Sequence, residues 1–222
     1  MNLFISFLQK TIGQKIVVGL TGLGLCLFVL IHMLGNLLIL SGPEAYNNYA
    51  YKLHDFPGLL LLEFGLFIFF IGHILLSILL QLKNKKAKGS ISYQKEAQGI
   101  KKTNFIHKFI LSQGILLLIF LVLHLWSFKF GTYYETELNG KKVRDIYLLV
   151  VENFQKPLYT FGYSFILLIL FNHLLRGFPA SFKTLGLSHP LYVSWIEKLA
   201  WFFSLIVTFG FLAPIWYIYI YL

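Results

Sequence analysis

The sequence predicts an all-α integral membrane protein with five transmembrane helices, the first four forming a bundle. Three observations carry this. Of 222 residues, 57% are hydrophobic and only 13% charged, about half the charged share of a soluble domain. Five apolar runs each exceed the roughly 20 residues that a helical span needs. Together they occupy most of positions 1–222, which reads as a single transmembrane domain with no room for a separate soluble catalytic domain. The one cysteine, Cys26, lies inside an apolar run, which excludes a disulfide framework and any CxxC redox or zinc motif.

The spans are expected at about 15–40, 59–82, 106–129, 157–182 and 192–221. Lys10 and Lys15 precede the first. Its apolar stretch is too long for a signal peptide and lacks a small-residue cleavage pattern, so it reads as a retained helix. The connections alternate in charge. One side holds Lys10, Lys15, eight lysines between Lys83 and Lys108, Arg176, Lys183 and Lys198 against Glu96 and Glu197; on the other, six basic residues face six acidic ones. The positive-inside rule then places the N-terminus in the cytoplasm and the C-terminus outside. The net charge of +10 is accounted for by topology, with no nucleic-acid partner implied. The basic stretch from Lys83 to Lys108 is also a candidate docking surface for a cytoplasmic partner or anionic membrane lipid. The pair Asn139 and Gly140 marks a turn, and the outer connections are too short for a substrate-binding ectodomain.

Seven histidines occur. His54, His107 and His189 fall in connections or at span ends, where a solvated imidazole needs no explanation. His32, His73, His124 and His173 lie one in each of the first four spans. An imidazole in hydrocarbon must find a partner, either an interhelical hydrogen bond or a ligand; four of them, one per helix, favour ligation. Depth sorts them. At about 1.5 Å per residue, His32 lies roughly 13 Å and His124 roughly 8 Å from the outer end, while His73 and His173 lie roughly 15 Å from the inner end. The pairs are therefore His32 with His124 and His73 with His173. Each pair suits one flat, apolar cofactor clamped between helices, and neutral imidazoles on both axial positions of a haem iron meet that description. Zinc or a di-iron centre would want acidic or sulfur ligands, and the spans offer only Glu63 and Cys26. Arg176, one turn after His173, either pairs with a haem propionate or snorkels to the interface. The glycines at 19, 22, 24, 35, 65, 72, 162 and 177 allow close approach of a macrocycle or simply of another helix.

The segments TGLGLCLFVLIHMLGNLLILSGPEAYNNYA around His32, HLWSFKFG from His124 and HLLRGFPASFKTLGLSHP from His173 resemble the single-chain dihaem cytochrome b subunit of succinate dehydrogenases and fumarate reductases. The resemblance runs nearly to Pro190. It implies a membrane anchor for a flavoprotein subunit carrying FAD and an iron-sulfur subunit, with two haem b groups. His73 and His173 would then hold the haem proximal to the iron-sulfur subunit, and His32 and His124 the distal one. It also implies a quinone, usually menaquinone, near the distal haem, and a dicarboxylate catalytic site on a partner subunit rather than on this chain. Two positions depart from the family pattern: Arg176 precedes Gly177 where histidine is frequent, and Lys183 replaces a glutamine. Quinone chemistry also needs proton exchange, for which Glu63 and His54 are the candidates. A cytochrome b anchor of a hydrogenase or formate dehydrogenase, and a haem-free membrane scaffold or transporter, are the alternative readings.

Overall fold

A computed structural model describes residues 6–7, 9–88 and 110–222, without the side chains of residues 87 and 88. His107 and most of the basic stretch expected to face the cytoplasm lie outside the described residues. The elements are α1 (Thr11–Leu37, extended by a 3-10 turn Leu38–Ser41), α2 (Pro43–His54), α3 (Leu59–Lys88), α4 (Ile110–His124, continued by a π turn Leu125–Lys129), β1 (Glu135–Leu138), β2 (Lys141–Arg144), α5 (Ile146–Phe154), α6 (Pro157–Thr184) and α7 (Val193–Tyr221). Five of these are long and apolar enough to cross a membrane: Thr11–Ser41, Leu59–Lys86, Ile110–Lys129, Pro157–Thr184 and Val193–Tyr221. The expected five-span, all-α architecture is therefore present. The second span begins where expected, at Leu59, but its apolar segment runs four residues further than expected, to Lys86, and its helix to Lys88.

The spans form a ring of four with a fifth helix outside it. Helix α1 packs on α3 and on α6, α6 packs on α4, and α4 meets α3 at a thin seam. The diagonal pairs α1 with α4 and α3 with α6 make no substantial backbone contact. Helix α7 lies against α1 and α6. Lipid tails are as apolar as leucine, so close packing rather than a hydrophobic drive must hold such helices together. Glycines allow it: Gly19 brings α1 against the Ser181 backbone, Gly24 of α1 receives Phe69, and Gly210 of α7 receives Met33. The outward faces carry large exposed apolar side chains such as Leu60, Phe64, Leu158 and Trp201, as a lipid-facing surface requires.

The connections at the end of the bundle opposite Thr11 fold into a cap. Helix α2 packs on α5 and on the hairpin. The hairpin pairs Glu135 with Arg144 and Leu138 with Lys141. Its turn residues Asn139 and Gly140 both have positive φ (52° and 75°), as a tight two-residue hairpin turn demands. The densest core lies here, where Ile39, Tyr46, Val150, Val151 and Phe154 of the cap meet Leu167, Ile215 and Ile218. Asn47, 2% exposed, ties the cap together: its amide donates to Asp145 Oδ1 and its carbonyl accepts from Tyr147 N–H, both at 2.9 Å. Asp145 in turn caps α5 through Leu148 N–H.

Candidate haem sites and a cleft at their edge

The structure brings the four intramembrane histidines together in two pairs, each across a diagonal of the ring. The rings of His32 on α1 and His124 on α4 are 5.8 Å apart between centroids, with planes at 88°. Those of His73 on α3 and His173 on α6 are 6.4 Å apart at 75°. The two levels are separated along α1 by the eleven residues from Thr21, which touches His73, to His32, or about 16 Å. Pairing by depth and pairing in space agree.

Each level has its own surroundings. At the lower one, nearer Thr11, His73 Nδ1 lies 3.3 Å from Val18 O and 3.4 Å from Thr21 Oγ1. A carbonyl only accepts, so Nδ1 carries the proton and Nε2 keeps its lone pair. A metal-bound imidazole has this arrangement, its second nitrogen anchored to the backbone. Gly22 makes room for it, since a Cβ there would sit 3.2 Å from His73 Cε1 and 3.3 Å from Ser181 Oγ. At the upper level Phe28 stacks on His32 with centroids 5.4 Å apart. Phe120 and Phe128 flank His124 at 5.6 and 5.3 Å. Tyr163 Oη stands 3.2 Å from His124 Nδ1. Asn36 donates to His32 O at 2.8 Å, approaches His32 Nε2 at 3.5 Å and accepts from Tyr46 Oη at 3.0 Å.

Do these residues fit haem? Metal–imidazole bonds of about 2 Å on both sides of one iron set the ring centroids roughly 6 Å apart, which both pairs match. Among the described residues no group of three or more His, Cys, Asp or Glu comes together. The donor set is thus two imidazoles per level, suited to two axial positions and short of a tetrahedral zinc site. Around the lower pair, buried polar atoms are without partners among the described residues: His173 Nδ1, Arg176 Nε and Nη1, and Gln113 Oε1. Counting along the antiparallel α4 and α6 from the His124–Tyr163 contact puts Gln113 level with Leu174, beside His173 and Arg176. A Cβ at Gly72, Gly114 or Gly177, next to these residues in sequence, would meet nothing within 4 Å. A flat group with acidic side arms would fit here, its ring against the glycines and a carboxylate on the Arg176 guanidinium.

Comparison with protein-family models, with curated proteins and with solved structures finds no match.

The remaining sequence-derived candidates also find places. Glu63, on the first turns of α3, pairs with Lys129 at 2.5 Å, both side chains about half exposed. His54, at the end of α2, lies on the same cleft of about 360 Å³, whose other walls are Phe56, Pro57, Leu59 and Leu60. The two proton-exchange candidates thus share one cleft, at the end of the bundle nearer the His32–His124 pair. His189 is remote and bonds its own loop at Leu191 N–H. Cys26 is an isolated thiol.

Sequence reasoning did not single out Tyr163, Thr21, Gln113 or Lys129. Lys129 counted only as a loop charge; Tyr163 and Thr21 carry no signal, because the rotational phase of one helix against another is not written in either.

Proposed function

We propose that this chain is the membrane-anchor cytochrome b subunit of a succinate:quinone oxidoreductase, passing electrons between an iron-sulfur subunit and a membrane quinone. The observation that carries the reading is the pair of cross-ring imidazole couples, with centroids 5.8 and 6.4 Å apart at two depths. When bound, haem b supplies one-electron redox chemistry at a coordinatively saturated iron. His73 and His173 hold the lower group, with Val18 and Thr21 orienting the His73 ring; His32 and His124 hold the upper one, with Tyr163 orienting His124. Arg176 would receive a propionate of the lower group through its Nε and Nη1, unpartnered among the described residues. The aromatic collar of Phe28, Phe120 and Phe128 excludes water from the upper one.

The chain lies in the bacterial inner membrane with its N-terminus in the cytoplasm, where the flavoprotein and iron-sulfur subunits dock, and its C-terminus outside. Succinate and fumarate are interconverted on the flavoprotein with its FAD, and no dicarboxylate site is assigned to this chain. The quinone, menaquinone by resemblance, is handled at the upper end, where Glu63 and His54 exchange protons with it.

The decisive test is a reduced-minus-oxidised spectrum with haem quantitation on the purified complex. Two b haems per chain are expected; His32→Ala and His124→Ala remove one spectral component, His73→Ala and His173→Ala the other. A colourless complex, or variants that do not sort into these pairs, would overturn the reading. Glu63→Gln is expected to slow quinone turnover with the haem spectra intact; unchanged quinone kinetics would remove Glu63 from the mechanism.

A further inference from the structure

Lys129 is so far only the partner of Glu63, yet its position is the product of three separate features. It ends the π turn that follows His124, closed by the Phe130 N–H to Leu125 O bond at 3.0 Å, and π turns occur disproportionately at functional sites. Its own carbonyl is held by Arg144 Nη1 at 3.1 Å. Its ammonium is delivered to the mouth of the cleft formed by the α2–α3 turn, whose walls are otherwise His54, Phe56, Pro57, Leu59, Leu60 and Glu63.

We propose that Lys129 is the headgroup-binding residue of this cleft, donating a hydrogen bond to a carbonyl oxygen of a quinone ring when Glu63 yields it. The proposal rests on the quinone reading above and adds to it the group that binds the ring. Size and lining agree with a small-molecule site, which is mostly apolar with few polar groups. Charge selects the class of occupant. An anionic headgroup would meet the Glu63 carboxylate, and a cationic one the Lys129 ammonium. A neutral flat ring with carbonyl acceptors meets neither penalty and can take an N–H from Lys129. Leu60, 77% exposed at the rim, opens the cleft toward the lipid, the side from which an isoprenoid tail would hang. The Lys129–Glu63 pair is about half exposed, and such pairs are weak enough for a ligand to displace.

The test is a titration of the purified, detergent-solubilised complex with menadione, followed by quenching of tryptophan fluorescence; Trp126 lies three residues before Lys129 and is 75% exposed. Wild type should bind. Lys129→Gln should raise Kd about tenfold or more, the usual worth of a hydrogen bond from a charged donor. Lys129→Arg should stay within about threefold, since the cation and the bridge are kept, and Lys198→Gln, at the far end of the bundle, should bind as wild type. Glu63→Gln should bind at least as tightly as wild type, because it frees the ammonium. A merely structural clamp predicts the opposite: both halves of the bridge would weaken binding alike. Equal weakening by Lys129→Gln and Glu63→Gln, or no effect of Lys129→Gln, would overturn the assignment while leaving the quinone reading in place. A wild type that does not bind menadione would overturn both.

Discussion

Tyr163 and Gly22 each act on a histidine from a neighbouring helix. The Tyr163 hydroxyl stands against His124 Nδ1 at 3.2 Å, and loss of such an outer partner typically lowers metal affinity about 10- to 100-fold. Tyr163→Phe should therefore weaken haem retention in a haem-transfer competition, with the loss larger at the His32–His124 level than at the other. Gly22→Val should do the reverse. Its branched side chain enters a space where even a Cβ stands 3.2 Å from the His73 ring, an overpacking worth about 1–3 kcal/mol. The expected result is loss of the His73–His173 spectral component with the His32–His124 component kept. At this scale the four histidines and their pairing were legible, because counting residues along a helix measures depth. The partners were not. Gly22 looks like any transmembrane glycine, and nothing in Tyr163 distinguishes it from the other tyrosines; which face of α6 turns toward α4 is settled by packing alone.

The π turn and the arginine that clasps it form one device at the scale of elements. Arg144, at the end of β2, donates to four carbonyls at the frayed end of α4: Phe128 and Lys129 at 3.2 and 3.1 Å, Gly131 and Thr132 at 3.2 and 3.3 Å. A helix end with unsatisfied carbonyls favours a cation there, and a planar fork reaches several acceptors where an ammonium cannot. Arg144→Ala should cost on the order of 2 kcal/mol of stability, read as a lowered thermal unfolding midpoint, and Arg144→Lys should recover only part of it. Asn47→Ala, which strands the Asp145 and Tyr147 partners in a buried cap, should cost about 1–3 kcal/mol by the same measurement. The long helices were legible from their apolar length and the hairpin turn from Asn139 and Gly140. Helices α2 and α5 were not, because α2 (PEAYNNYAYKLH) is polar and short. Such a segment is helical through tertiary contacts such as those of Tyr46 and Asn47 rather than through propensity.

At the scale of the whole molecule, five spans put the two chain ends on opposite faces, and the lysine bias assigns those faces under the proposed orientation. An alkaline phosphatase domain fused after Leu222 should be active, and one fused within the lysine-rich connection after Lys88 inactive; the reverse pattern would invert the topology. The ring of four with one helix outside it follows from where the small residues and histidines fall, and α7 joins it through Gly210 and a face of Ala200, Ser204 and Val207 that is fully buried. Helix α1 has a singular part in this architecture. It supplies one imidazole of the upper pair, and its Val18, Thr21 and Gly22 seat an imidazole of the lower pair that belongs to α3. The two levels therefore share one rigid rod. A group bound at either level fixes the height and rotation of α1, and that ordering is no longer needed when the second group arrives. Assembly is then cooperative by linkage: in a titration of apoprotein with limiting haem, empty and doubly loaded molecules should predominate over those carrying one.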